Sequence, residues 1–250
     1  MSRRAACLLL LGLLAIPPGI GMARAQSPAP PACQQPEHLM LHDLALPASR
    51  AALARAGGLV ILAVGSAATA GAAAGDPAAT YPARLQAALA AALPGAAIRV
   101  VNQATAQGDT PFMAEHLAGF VRDAGAALVI WATGTRDATR SADIDVYVAG
   151  LAKGITAIRA AGADVILMDM QYAPSIARIL NFAPYREALR GIAVAREVPL
   201  LARHEFMQLW HSDGAMDLDA RDGEERHRVA RKLFACLAAA LATPIAQALR

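Results

Sequence analysis

The segment Val64-Gly65-Ser66-Ala67-Ala68-Thr69-Ala70-Gly71 follows an apolar run and precedes a helical pattern that opens near Tyr81. A tight turn from strand to helix is where many α/β enzymes present a nucleophile, and Ser66 places a hydroxyl on such a turn. Serine is equally a turn or helix-cap residue, and that reading competes with the chemical one. A nucleophilic serine needs a base, and the base needs an acid to orient it. Glu224-x-x-His227, with Asp222 just before it, offers those residue types. The competing reading of His227 is a solvated residue on a charged helix start. Arg136, in Gly134-Thr135-Arg136-Asp137, is a permanent cation that can hold a pre-existing anion such as a carboxylate or phosphate. Its plainer alternative is an ion pair with Asp137 or Asp109. His38 and His42 are four residues apart, but no third metal ligand is near them. Residues 71–75 are alanine-rich and lack the lysine of a phosphate loop. No metal and no cofactor are therefore expected. His204 and His211 are expected to flank a helix around Phe206 and Trp210.

These residues need a scaffold, and the chain alternates strand and helix patterns. Short apolar runs rich in branched residues occur at 59–64, 98–101, 127–131, 165–168 and 199–201. Gly, Asp or Asn bounds each of them, as in buried parallel strands. Helical spacing is found at 39–56, at Leu85, Leu89 and Leu93, and at Val148, Leu151, Ile155 and Ile158. It recurs at 184–194, opened by a proline, and at Val229, Leu233, Leu237 and Leu241 with Phe234. Five strands alternating with helices predict an α/β fold, a parallel sheet covered on both faces. In such a sheet the working site lies outside the carboxyl ends of the strands. That singles out the loops at 65–71, 102–110 and 134–137, together with 222–228 before the last helix.

Residues 1–25 read as an export leader. Arg3 and Arg4 precede an apolar run of 12 residues, and Ala23-Arg24-Ala25 is a small-x-small cleavage pattern before Gln26. Paired arginines also leave twin-arginine export open beside the general route. Residues 26–36 are rich in Pro and Ala and read as an arm, and 37–250 as one domain. The 250 residues carry 23 Lys and Arg against 20 Asp and Glu. The leader holds three arginines and no acid, so the mature chain balances 20 against 20. That balance argues against nucleic acid and anionic membrane as partners. The mature chain is expected to have no membrane span, and its location to be periplasmic or secreted. Cys33 and Cys236 remain after cleavage, a candidate disulfide in an oxidising compartment. The alternative is a buried Cys236 with a free thiol at Cys33.

The four candidate loops together resemble the catalytic blocks of the SGNH/GDSL hydrolases, secreted esterases and acylhydrolases with a flavodoxin-like, three-layer α/β/α fold around a five-stranded parallel sheet. The likeness spans most of the mature chain. It is strongest at 59–93, 129–137 and 160–174, which includes Ala163-Asp164-Val165-Ile166-Leu167-Met168-Asp169 and Gln171-Tyr172-Ala173-Pro174. In the family's first block, Gly65, Thr69, Ala70 and Gly71 match, and the resemblance then places the nucleophile position on Ala67. In the second, Asn102-Gln103-Ala104-Thr105-Ala106-Gln107 puts Gln107 where a glycine lends its amide to the oxyanion. A slip of one residue recruits Gly108 instead. In the third, Arg136 stands where a short neutral asparagine donates, and a longer permanent cation is no equivalent. The fourth is Asp-x-x-His, which occurs nowhere in the chain. Asp222-Gly223-Glu224-Glu225 keeps its start with Glu225 in the histidine's place, and the nearest histidine is His227.

The resemblance implies a secreted SGNH-like protein without the family's usual ester hydrolysis. Such a protein holds a small acylated or glycan ligand in the old cleft, through Arg136, or serves a partner protein. The rival is a working esterase with Ser66 as nucleophile, His227 as base, Glu224 or Asp222 as orienter and Gly108 as oxyanion donor. A third reading is a relic with a structural role only.

Overall fold

A computed structural model describes residues 33–105 and 108–250. The leader expected at 1–25 and the arm up to residue 32 lie outside the described residues, as does Gln107. The sheet has five parallel strands, β1 (Gly58–Gly65), β2 (Ala97–Ala104), β3 (Leu128–Ala132), β4 (Asp164–Met168) and β5 (Leu200–Leu201), in the order β2-β1-β3-β4-β5. Each expected apolar run is a strand. β2 runs to Ala104, three residues beyond the expected end, because it pairs with β1 along its whole length, from Gly58↔Ala97 to Gly65↔Ala104.

Ten α-helices accompany these strands among the described residues. They are α1 (Pro47–Ala56), α2 (Ala67–Ala70), α3 (Tyr81–Ala92), α4 (Thr110–Ala124), α5 (Thr135–Thr139), α6 (Ile144–Ala160), α7 (Pro174–Ala177), α8 (Ala183–Ala195), α9 (Arg203–Ser212) and α10 (Gly223–Leu249). The period-2 alternation of side chains divides the core in two. Leu59, Ile61, Leu128, Ile130 and Ile166 face one layer, where Leu85 and Leu89 of α3, Phe206 of α9 and Phe234 and Leu237 of α10 cover them. Leu62, Val64, Val129, Trp131 and Leu167 face the other layer, against Leu117 of α4, Leu151 and Ile155 of α6 and Leu189 of α8. The result is the expected three-layer α/β/α architecture.

The helix expected over 39–56 is shorter in the structure. Pro47 sits at its first turn, and Leu46 before it takes a non-helical conformation (φ −122°, ψ 63°). Proline tolerates the first turn of a helix but disfavours helix in the residue before it. Leu41, Leu44 and Leu46 are buried nonetheless, as irregular chain laid against the core. Ser49 of α1 then ties that layer to the sheet, donating to Asp164 Oδ2 (2.7 Å) and to the Ala127 carbonyl (3.2 Å).

By length and composition α10 is capable of crossing a membrane, yet 61% of its most apolar stretch is buried within the fold. It serves as the core helix of its layer. Its Cys236 is bonded to Cys33, with Cα atoms 5.1 Å apart, inside the usual disulfide range. The arm is also held by Trp210, whose Nε1 donates to the Gln34 carbonyl at 3.0 Å.

The strand order places β2 on one side of β1 and β3 on the other, so the chain leaving β1 faces a switch point. The loops after β1, β2 and β3 converge there.

Candidate functional site

Gly65 ends β1 at a close approach. A Cβ there would run into the Thr69 side chain and come within 3.1 Å of the Ala132 Cβ. Ser66 follows in extended conformation (φ −87°, ψ −162°) and starts α2. Its carbonyl accepts from the amides of Thr69 (2.9 Å) and Ala70 (3.2 Å). Its hydroxyl makes no capping bond, although a serine at this position ordinarily does. Ala67, the first residue of α2, carries its methyl at the exposed surface.

The end of β2 is tied to this turn. Asn102 Nδ2 donates to the Thr69 carbonyl (3.1 Å), and the Thr105 amide to the Gly65 carbonyl (2.9 Å). Gly108 lies at the same place, but its amide is directed at the Thr105 carbonyl (3.3 Å). It packs tightly as well: an added Cβ would fall on the Met113 side chain.

After β3 the chain turns through Gly134 at φ +90°, where a Cβ would lie 2.7 Å from the Tyr147 hydroxyl. Only glycine meets both demands. Asp137, in the next turn, is buried and accepts from the Thr110 amide (3.0 Å) and hydroxyl (2.8 Å). Burial pushes its carboxyl above the usual aspartate range, against the pull of those two bonds. Asp109 caps α4 through the Phe112 amide (3.1 Å) and pairs with Arg140 at 3.5 Å. Both carboxylates considered for Arg136 are therefore engaged elsewhere. The Arg136 Nε is buried without a hydrogen-bond partner among the described residues.

None of the residues at the start of α10 lines the crevice beside Ser66. Asp222 is the helix cap, its Oδ1 accepting from the Glu225 amide at 3.0 Å. Glu225 pairs with Arg228 at 2.5 Å, and Glu224 is exposed. His227 Nδ1 lies 2.9 Å from the Ala73 carbonyl, with the ring seated over Gly75. A carbonyl oxygen only accepts, so Nδ1 carries the proton and Nε2 is the free acceptor. Neither Glu224 nor Asp222 orients the ring; a backbone carbonyl does.

Ser66 instead faces a crevice shared with Thr69, Gly108, Thr133, Arg136 and Arg203. Its free volume is about 10 Å³, room for roughly one water. A larger open groove of about 540 Å³ lies nearby, between residues 70–77, α3 and the edge strand β2, with Asp76 its one charged lining group.

Arg203 escapes the sequence reading, which weighed the loops after the first three strands and not the one after β5. The usable signal was its place immediately beyond the fifth apolar run, at the carboxyl edge of the sheet. Arg203 is only 3% exposed, and its Nε has no hydrogen-bond partner among the described residues. Burial lowers its pKa to about 10, offset in part by Tyr81 and Asp169. It stays charged at neutral pH. The neighbouring acids already hold other arginines, although Glu205 Oε2 is buried without a hydrogen-bond partner among the described residues. Asp169 accepts from Arg186 Nε (3.1 Å) and the Met170 amide (2.6 Å), while Glu205 takes Arg186 and Arg190 together.

His204 and His211 do not flank the helix but lie inside α9, next to its first and last residues. His204 is buried edge-on to Tyr172 and Phe182, with ring centroids 5.2 and 6.0 Å away. Burial first, and then the Arg186 charge, depresses its pKa to about 4, so the ring is neutral at pH 7. His211 Nδ1 lies 3.2 Å from the Met216 carbonyl, and His42 Nε2 2.8 Å from the Glu37 carbonyl. Among the described residues no three His, Cys, Asp or Glu side chains gather as metal ligands.

A family model described as the non-GDSL lipase-like family matches residues 32–250. No curated protein matches the chain. Among solved structures the chain is similar to TesA, at 23% identity over 73% of this chain and 99% of that one, with a TM-score of 0.55. A catalytic variant of Axe2, an acetylxylan esterase from Geobacillus stearothermophilus, shares 19% identity over 70% and 91% of the two chains, with a TM-score of 0.54. A variant of the esterase AlinE4 shares 26% over 66% and 84%, with a TM-score of 0.50. The fold is that of the SGNH/GDSL esterases.

Proposed function

We propose a non-catalytic, ligand-binding role for this chain, which belongs to the non-GDSL lipase-like family. The observation that carries the reading is the turn after β1. In the family register Ala67 takes the nucleophile position, and a methyl group cannot attack a carbonyl. Ser66, one residue earlier, has a hydroxyl bonded to no imidazole, and His227 is held on the Ala73 carbonyl. Arg136 in place of a neutral donor, and the Gly108 amide turned to Thr105, weaken the oxyanion site as well. In a serine hydrolase the loss of one triad member costs on the order of 10⁴ to 10⁶ in turnover. What survives such a loss comes from the oxyanion donors. Both elements are altered in this chain.

The ligand class follows the relatives. Axe2 acts on acetylated xylan by its description, and a small acylated or glycan compound is the ligand proposed here, with Arg136 as a contact. Export from the cytoplasm fits the leader at 1–25, and the Cys33–Cys236 disulfide is compatible with a periplasmic or extracellular location.

A second reading has one observation in its favour. His227 has its Nδ1 proton fixed by a carbonyl and its Nε2 free, the tautomer a general base requires. An esterase built on Ser66 and His227, with Asp222 or Glu224 as orienter and Gly108 as donor, needs His227 Nε2 within hydrogen-bond reach of the Ser66 hydroxyl. Turnover of short-chain acyl esters separates the two readings. The binding role predicts background rates in the parent protein, unchanged in Ser66→Ala and His227→Ala. Measurable turnover lost in both variants establishes the esterase instead.

A further inference from the structure

The crevice beside Ser66 has a charge imbalance that the proposed binding role explains only in part. Arg203 enters from the end of β5 and Arg136 from the loop after β3. Among the described residues no carboxylate oxygen lies within 4.0 Å of either guanidinium. Each Nε is buried without a partner. Around His204 three guanidinium groups, Arg186, Arg190 and Arg203, face two carboxylates, Asp169 and Glu205. Arg136 adds a further positive charge with no acid of its own in the crevice lining. A buried cation with no counter-ion destabilises the fold unless something else offsets it. Asp169 acts on Arg203 only at longer range, because its oxygens are bonded to Arg186 and the Met170 amide.

An arginine fork matches the two oxygens of an anion in its own plane, and the match is strongest where water is excluded. The free volume of about 10 Å³ admits about one oxygen, so an anion reaches in with a single oxygen and the rest of it stays at the mouth of the crevice. The flat end of a carboxylate needs less room beside that oxygen than a tetrahedral phosphate or an acyl chain does. The Ser66 hydroxyl, left without a bond by its own helix, supplies a further donor on the same wall.

We propose that Arg136, Arg203 and Ser66 form a carboxylate-binding site at the switch point of the sheet, so that the ligand enters by an acid group. This inference rests on the binding reading and narrows it: the small acylated or glycan compound carries a free carboxylate, and that group, not an ester, occupies the old catalytic position. The arginines replace transition-state stabilisation with ground-state capture of a permanent anion, which is the opposite use of the same location.

The test is a titration of the purified mature protein with sodium acetate, with inorganic phosphate and with sodium chloride, at constant ionic strength. The readout is the arginine Nε–Hε signals in ¹H–¹⁵N spectra. Acetate is expected to give a saturable shift of two such signals. Binding should weaken about tenfold or more in Arg136→Gln, a half-buried position whose folding is checked by far-UV circular dichroism. Arg203→Lys keeps the charge and loses the fork, and is expected to weaken acetate as well. Acetate behaving like chloride, or affinity unchanged in Arg136→Gln, overturns the site, and phosphate binding more tightly than acetate overturns the carboxylate assignment. Ester turnover in the parent together with acetate binding at these arginines refutes the non-catalytic reading and leaves the site standing. Absence of both refutes the site alone.

Discussion

Opening the Cys33–Cys236 bond should remove a large share of the protein's stability. The two cysteines are 203 residues apart in sequence, and both are buried. The loop-closure entropy for that span corresponds to about 5 kcal/mol at 25 °C, and native disulfides are worth roughly 2–5 kcal/mol when removed. For a chain of this size 1 kcal/mol shifts the melting temperature by about 2–4 °C. Cys33→Ala is therefore expected to lower Tm by roughly 4–20 °C. Cys33 is the better partner to replace, because Cys236 is fully buried in α10 and its loss would also leave a hole in the core. The assay is urea and thermal unfolding of the parent with and without reductant, beside Cys33→Ala. Reductant should bring the parent to the variant's level and leave the variant unchanged. A parent indifferent to reductant, with a variant within about 1 kcal/mol of it, would refute the claim that the bond constrains the unfolded chain.

Other outcomes follow from packing and titration. His204 is neutral in the folded protein down to about pH 4, while in the unfolded chain it protonates near 6.5. The unfolded state then binds the extra proton between those values, so stability falls as pH falls through that window, by roughly 3 kcal/mol from this group. Urea melts across that range should show the loss in the parent and a flatter profile in His204→Gln. Gly154→Ala should destabilise by about 1–3 kcal/mol through overpacking, because its Cβ would meet the Trp131 ring. A gain from helix propensity alone would contradict that. Ser49→Ala removes the donor to Asp164 and the Ala127 carbonyl, and should cost about 1–3 kcal/mol in a urea titration.

Much of the fold was legible because the central strands β1, β3 and β4 are buried and apolar on both faces, while the edge strand β2, with no fully buried residue, showed only its short branched run. The boundaries were less so. β2 reaches Ala104 only because β1 offers it partners, a fact of pairing that its own residues do not carry. The helix over 39–56 lost its first turns to Pro47, a local signal available in the sequence and outweighed there by the leucine spacing. The disulfide was one of two readings open for Cys33 and Cys236, and the structure shows it. The site was legible by place more than by partnership. Ser66, Gly108 and Arg136 line one crevice at the end of the sheet. His227 finds its partner in the Ala73 carbonyl, and backbone acceptors leave no trace in residue types. Arg203 was hidden for a related reason: its importance comes from what does not surround it.

The proposed binding role requires that no side chain on the turn after β1 attack an ester. The direct measurement is intact-mass analysis of the purified mature protein after exposure to a fluorophosphonate probe, which phosphonylates activated serines. The account predicts an unmodified mass under conditions that label an active serine esterase to completion. Stoichiometric labelling mapped to Ser66 would contradict it.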